Sequence, residues 1–237
     1  MPASNATFLG EIDGVRVVYK PRAGERPLWD FPDGNLADRE VAAWAVAQAT
    51  GWDVVPLTFL RDGPHGEGMV QVWQEPDESQ AAVDIVPEAA VPQGYLHVFD
   101  GLDGHDRSVS LVHEDTVALR RIAVFDIIVN NADRKGGHVL AMPDGHRFGV
   151  DHGVTFHVEN KLRTVLWGWL GEPLTEEEIA GVSAVRDALG GDLGDLLASS
   201  LRSEEVQALA RRCDRLLAKG RLPRPTGDWP AIPWPPF

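Results

Sequence analysis

Three side chains from separate parts of the chain are of the types that phosphoryl transfer requires. Lys20 ends a β-rich stretch, Asp133 follows an apolar run, and Asp151 follows a second short β-rich stretch. Moving a phosphoryl group is mostly positioning plus neutralisation of charge on the phosphate oxygens. A lysine grips the nucleotide phosphates, one carboxylate binds a divalent metal, and another orients or deprotonates the acceptor hydroxyl. The 18 residues from Asp133 to Asp151 suffice for one hairpin to return both carboxylates to the same end. Glu40, in the helical pattern that follows Lys20, is available to pair with the lysine and fix its direction. Singly, each has a blander reading: a solvated strand-end lysine, a turn aspartate, a first-turn glutamate favoured by the helix dipole.

The elements that must position these groups are readable in outline. "TFLGEIDGVRVVYKP" is a hairpin pattern around Asp13-Gly14, with Lys20 late in its second strand. A helix follows, with Asp38 expected as its N-cap, and Gly51 stops it. Strands are expected at Val54–Leu60 and Met69–Trp73. The Pro, Gly and Asp density from Glu75 to Asp106 reads as a connecting region with at most one short helix. "EDTVALRRIAVFDIIVNN" has helical periodicity, and "HVLAMPDGHRFGVDHG" reads as two short strands joined by "PDG". Two more helices are signalled, one by the capping box Thr175 and Glu178, the other by "SEEVQALARRCDRLLAKG" with Gly220 as its stop. Strands come first and helices later, an α+β layout with two lobes and a cleft between them.

Composition narrows the partners. The 237 residues carry 36 acidic against 22 basic side chains, a formal charge of −14, with 43% hydrophobic content. Such a chain builds a core, and it repels nucleic-acid backbones and anionic lipid surfaces, so neither nucleic acid nor stable membrane association is expected. The lone Cys213 excludes an internal disulfide and reads as a buried small hydrophobe. The absence of a signal peptide or a spanning apolar run makes cytoplasmic the expected location.

The motifs themselves resemble known kinases. "VVYKPRAGERP" is similar to the lysine strand of type II phosphatidylinositol 4-kinases, and "FDIIVNNADRKGGHVL" with "GVDHGVTF" resembles their catalytic and metal-binding loops. HipA-like bacterial kinases share the Asn-x-Asp-Arg core met here by Asn131, Asp133 and Arg134. The whole chain resembles an actinobacterial family described as phosphatidylinositol 3-/4-kinase-like. That resemblance implies a two-lobed protein-kinase-like fold: a small β-rich N-lobe (residues 1–75) and a mainly helical C-lobe (residues 76–237). It implies ATP and magnesium, or manganese, as cofactors. Lys20 would grip the phosphates, Glu40 would hold Lys20, Asp133 would be the catalytic aspartate and Asp151 the metal ligand. Ser4, Asn5 and Thr7 stand where the phosphate-covering loop belongs, without its usual glycines. Gln74 and Glu75 would lie at the hinge near adenine. Arg134 would brace the loop, and Lys135 would either neutralise the transferring phosphate or face solvent.

His138 departs from the pattern, standing where those kinases have an asparagine for the second metal. Magnesium prefers oxygen, so an imidazole implies another metal preference or a lost site. Two other readings remain open. One is a nucleotide-binding protein of the same fold that regulates without turnover. The other is a metal-dependent hydrolase using His138, His146, His152 and His157 with Asp133 and Asp151, although their spacing matches no HExxH-type motif and leaves Lys20 without a task. The phosphoryl acceptor is not legible: protein, small molecule and inositol lipid all remain.

Overall fold

A computed structural model describes residues 6–26, 28–31, 35–88, 90–227 and 229–237. The expected first hairpin is present as β1 (Phe8–Ile12) and β2 (Val15–Pro21), with Asp13 and Gly14 at positive φ of 50° and 83° as a tight hairpin turn demands. These pair with β3 (Thr58–Gly63) and β4 (Gly66–Val72) in an antiparallel sheet of order β1-β2-β4-β3. Val17, Tyr19 and Val70 bury one face, and the alternation of β2 sends Lys20 to the other.

Helix α1 (Leu36–Thr50) starts earlier than the sequence suggests. Asp38 is not the cap, because Arg22 takes its carboxylate in an ion pair. The free N–H groups of Leu36 and Ala37 instead donate to the Glu25 carboxylate, at 3.0 and 2.8 Å, so the cap comes from a side chain outside the helix. Gly51, at φ 74°, ends the helix as expected. Ala42, Ala43, Ala45, Val46 and Ala47 are all buried, small side chains that let the helix lie between the sheet and other helices. Arg39 is buried too, donating to the Thr155 carbonyl at 2.6 Å and to Glu205 at 2.6 Å.

Two expectations are corrected. The strand expected at Val54–Leu60 begins only at Thr58, because Pro56 has no N–H to give a ladder and Val54 and Val55 are spent on the core. The stretch from Glu75 to Asp106 is not a mere connection. It holds β5 (Val83–Pro87) and β6 (Tyr95–Leu102), which with β7 (Ser108–Glu114) form a second antiparallel sheet of order β5-β7-β6. Its Asp and Gly residues make the hairpin turn, where the Asp103 carboxylate accepts from the backbone N–H groups of His105 and Arg107 at 2.8 and 3.0 Å.

Helix α2 (Val117–Val129) is capped by the Thr116 hydroxyl and lies largely within the core. Strands β8 (Val139–Ala141) and β9 (Arg147–Gly149) form the expected short hairpin. Helix α3 (Glu176–Ala188) carries the expected capping box, and α5 (Ser203–Lys219) ends at Gly220 in the left-handed conformation. Between them α4 (Asp192–Ala198) is a short helix that the sequence did not announce. Cys213 is fully buried and burial pushes its thiol up to about 12, the behaviour of a packing residue. The architecture is α+β, with the sheets before the helical C-terminal region. No helix among the described residues is long and apolar enough to cross a membrane.

Candidate active site

The end of α2 sets the geometry of the opening motif. Asn130 takes the left-handed conformation at φ 57° and stops the helix; its side-chain amide donates to the carbonyls of His157 and Glu159. Asn131 then folds back, donating to Asp126 at 3.0 Å and accepting the backbone N–H of Asp133 at 3.0 Å. Arg134 is wholly buried and every donor of its guanidinium is used. Asp126 is held by two bonds of 2.8 and 2.9 Å, the carbonyls of His138 and Val150 each at 2.9 Å, and His152 Nε2 at 2.7 Å. Arg134 therefore braces the loop, tying α2 to β8 and to the segment after β9.

Asp151 follows β9 in the left-handed region at φ 61°, rare for a residue with a side chain. Its carboxylate meets the Lys20 ammonium at 2.8 Å, and the same ammonium reaches Glu40 at 2.9 Å. Glu40 is itself fixed, its second oxygen accepting the backbone N–H of His152 at 2.8 Å. Strand, helix and loop, far apart in sequence, thus meet at one cation. Burial works against the charge of Lys20, yet the two carboxylates outweigh it and hold the pKa above the ordinary lysine value. Asp151 moves the opposite way: burial would raise it, but Lys20 and His138 keep it below the usual carboxylate range. Glu40 is pushed up by its burial, against the pull of Lys20.

Asp133 lies across from this pair. Burial raises its pKa despite Lys135, whose ammonium stands 3.5 Å from the carboxylate, and despite His138 and Arg163. A carboxylate so raised is a better proton acceptor than one in water. His138 joins the two halves. Its Nδ1–H donates to the Asp133 carbonyl at 3.0 Å, which leaves the Nε2 lone pair facing Asp151 at 3.4 Å. Burial lowers its pKa and favours the neutral ring.

The donor set suits a divalent cation shared with phosphates. Asp151 and His138 Nε2, 3.4 Å apart, could serve as two ligands, and no group of three or more metal-ligating side chains forms among the described residues. Magnesium characteristically takes one or two carboxylates and completes its shell with phosphate oxygens and water, a part Asp151 could play without the imidazole. The histidine cluster required by a hydrolase does not assemble. His146 contacts the Asp53 carbonyl at 2.9 Å, His157 accepts from the Glu159 N–H at 3.0 Å, and His152 is buried under Arg134.

Other expected residues lie elsewhere. Ser4 and Asn5 fall outside the described residues, and Thr7 is exposed just before β1. Gln74 and Glu75 follow β4 in extended chain. Gln74 donates back to the Val72 carbonyl at 3.4 Å, and Glu75 pairs with Arg16 and accepts from the Trp73 indole at 3.1 Å, so neither side chain joins the Lys20 cluster. Sequence reasoning missed Asp126 and the backbone of His152. Asp126 did leave a signal, as a lone carboxylate inside the apolar "VFDIIV".

The chain matches no protein-family model. Among solved structures it is similar to the Helicobacter pylori proinflammatory kinase CtkA, with a TM-score of 0.48 and 10% identity, over 92% of this chain and 89% of that one. At that score the likeness assigns no residue a role. Among curated proteins it is 49% identical over 248 residues to Protein Rv2133c of Mycobacterium tuberculosis, covering 99% of this chain and 89% of its relative. An identity of that size along nearly both full lengths places the chain in the same family as Rv2133c.

Proposed function

We propose that the chain is an ATP-dependent phosphotransferase of the phosphatidylinositol 3-/4-kinase-like type, with the γ-phosphoryl passing to a hydroxyl of an acceptor that is a protein, a small molecule or an inositol lipid. The observation that carries this reading is the Lys20 ammonium bridging Glu40 and Asp151 at 2.9 and 2.8 Å, with the main-chain carbonyl of Asp133 reached from Asp151 through a single imidazole. On this reading the sheet of residues 1–75 and the region 76–237 form the two walls of the nucleotide cleft.

Lys20 then holds the nucleotide phosphates, oriented by Glu40, whose own position is set by the His152 N–H. Asp151 and His138 hold the divalent cation, magnesium or manganese, which when bound neutralises charge on the phosphate oxygens. Asp133 accepts the proton of the acceptor hydroxyl as its oxygen attacks, and Lys135 beside it balances the incoming negative charge. Arg134 and Asp126 keep the loop from collapsing when these charges rearrange.

Incubation of the protein with γ-labelled and α-labelled ATP and a cell extract tests the reading. Transfer of the γ label is expected, and it should fall on the order of 100-fold or more in Asp133→Asn while nucleotide binding persists. Unchanged ATP binding and turnover in the Lys20→Met, Asp151→Asn double variant would refute the assignment. Binding without turnover would favour a nucleotide-binding regulatory protein instead, a second reading supported by the imidazole at position 138, where magnesium prefers oxygen.

A further inference from the structure

Away from the cleft, a cavity of about 690 Å³ opens between α5, the end of α2 and the C-terminal tail. That size is typical of small-molecule sites. Its lining is unlike the rest of this acidic chain. Arg212, Arg215, Lys219, Arg221 and Arg224 all border it, and no acidic side chain does among the described residues. Three of the five come from one face of α5, since positions 212, 215 and 219 fall on neighbouring turns. The chain carries a formal charge of −14, so gathering these cations around one void is the reverse of its surface average.

Among the described residues no carboxylate neutralises this charge. Arg215, Lys219 and Arg224 make no ion pair among the described residues, and Arg221 donates only to the Gly171 carbonyl at 3.1 Å. Arg212 is the telling member. Its Nε and Nη1 donate to the carbonyls of Ile128 and His157 at 2.7 and 3.1 Å, but its Nη2 is buried with no partner. The indole N–H of Trp229, on the same lining, is also buried and unpartnered. Buried donors are almost always satisfied in folded proteins, so two of them on the lining of one void are positions that an acceptor in that void would satisfy. Burial, together with the charges of Arg211 and Arg215, pulls the Arg212 pKa down to about 10, the signature of a guanidinium lacking a counter-ion. Most of the remaining wall is apolar and aromatic, formed by Trp167, Leu162, Leu216, Pro223 and Pro225, with Asn160 and Thr226 as its polar members.

We infer that this cavity is a second ligand site, separate from the Lys20 cleft, for a soluble organic anion carrying phosphate or carboxylate groups on a flat apolar body. Arg212 Nη2 and the Trp229 indole would donate to the anionic group, while Arg215, Lys219 and Arg224 supply the field that draws it in.

The probe is 8-anilino-1-naphthalenesulfonate, an aryl anion whose fluorescence rises on binding, with inorganic pyrophosphate as competitor. Saturable binding of one probe molecule per chain is expected, with displacement by pyrophosphate and weakening as salt is raised. The double substitution Arg215→Gln, Lys219→Gln removes two exposed cations without touching the core, and should weaken probe binding about tenfold or more at an unchanged melting temperature. Lys20→Met, Asp151→Asn should leave probe binding as it is. Equal binding by the Arg215/Lys219 variant, loss of binding in the Lys20/Asp151 variant, or no saturable binding up to about 1 mM would each overturn the site. Displacement by anionic phospholipid vesicles but not by pyrophosphate would overturn the soluble-ligand assignment.

Discussion

Arg134→Lys keeps the charge at the centre of the candidate site and changes only its geometry, which makes it the sharpest test of how the site is held. Arg134 uses five contacts: two to Asp126 at 2.8 and 2.9 Å, two to carbonyls at 2.9 Å, and one to His152 at 2.7 Å. A lysine ammonium offers three donors from one atom and cannot span this fork, so at least two buried acceptors lose their partner. Each such loss costs about 1–3 kcal/mol, giving roughly 4 kcal/mol for the variant. For a chain of this length about 2–4 °C is lost per kcal/mol, so the melting temperature should fall by roughly 8–16 °C. Differential scanning calorimetry reads the drop directly, and a thermal-shift titration with ATP and magnesium should show weakened nucleotide stabilisation beside it. Lys135→Ala, one residue on and partly open to solvent, is the contrast and should cost under about 1 kcal/mol. A fall of less than about 3 °C for Arg134→Lys would refute the claim that this fork holds the loop.

Stability should also respond to pH through His113. Its ring is fully buried, with Nδ1–H donating to the Glu114 carbonyl at 2.9 Å and Nε2 accepting the Gly168 N–H at 2.9 Å, so a second proton has nowhere to go. Burial accordingly lowers its pKa. Between the unfolded value near 6.5 and the lower folded value the unfolded chain binds more protons, so stability is lost as pH falls through that window, by at most about 1.4 kcal/mol per pH unit from this group. Urea unfolding at about pH 7.5 and about pH 5.5 measures the loss, and an NMR titration in which His113 protonates near 6.5 would contradict it. In the loop after α2, the Gly136 N–H donates to the Pro236 carbonyl at 2.8 Å, and a Cβ there would come within 2.3 Å of an atom of the Phe237 ring. Gly136→Ala should therefore expel the tail from the loop, seen as faster proteolysis after about residue 230 with little change in the helices; protection equal to the parent would refute it.

The meeting of Lys20, Glu40 and Asp151 was legible because the residues are unlike and stand at separations that the elements between them can close. Lys20 stands at a strand end that the Asp13-Gly14 turn places in register, and Asp133 and Asp151 flank a hairpin signalled by "PDG". The second sheet was not legible, because the Asp and Gly residues that build its turns are the same ones that mark loops. Which carboxylate caps α1 was not legible either. The sequence offers Asp38 at the right place, but the cap is Glu25, brought in by a fold-level contact and freed for the task because Arg22 claims Asp38. Arg134 and Asp126, eight residues apart, looked like separate polar residues, and only burial reveals them as one unit.

Arg39 and Glu40 are consecutive residues of α1, and they point to different masters. Glu40 orients Lys20, whereas Arg39 is locked to Glu205 of α5 and to the Thr155 carbonyl. Loss of the Glu205 carboxylate would leave Arg39 without its ion pair, one residue from the glutamate that meets the lysine. A mutational scan scored by activity will rank Glu205 beside the residues of the cleft, although it touches none of them. The same scan read by protein abundance will separate the two kinds of position.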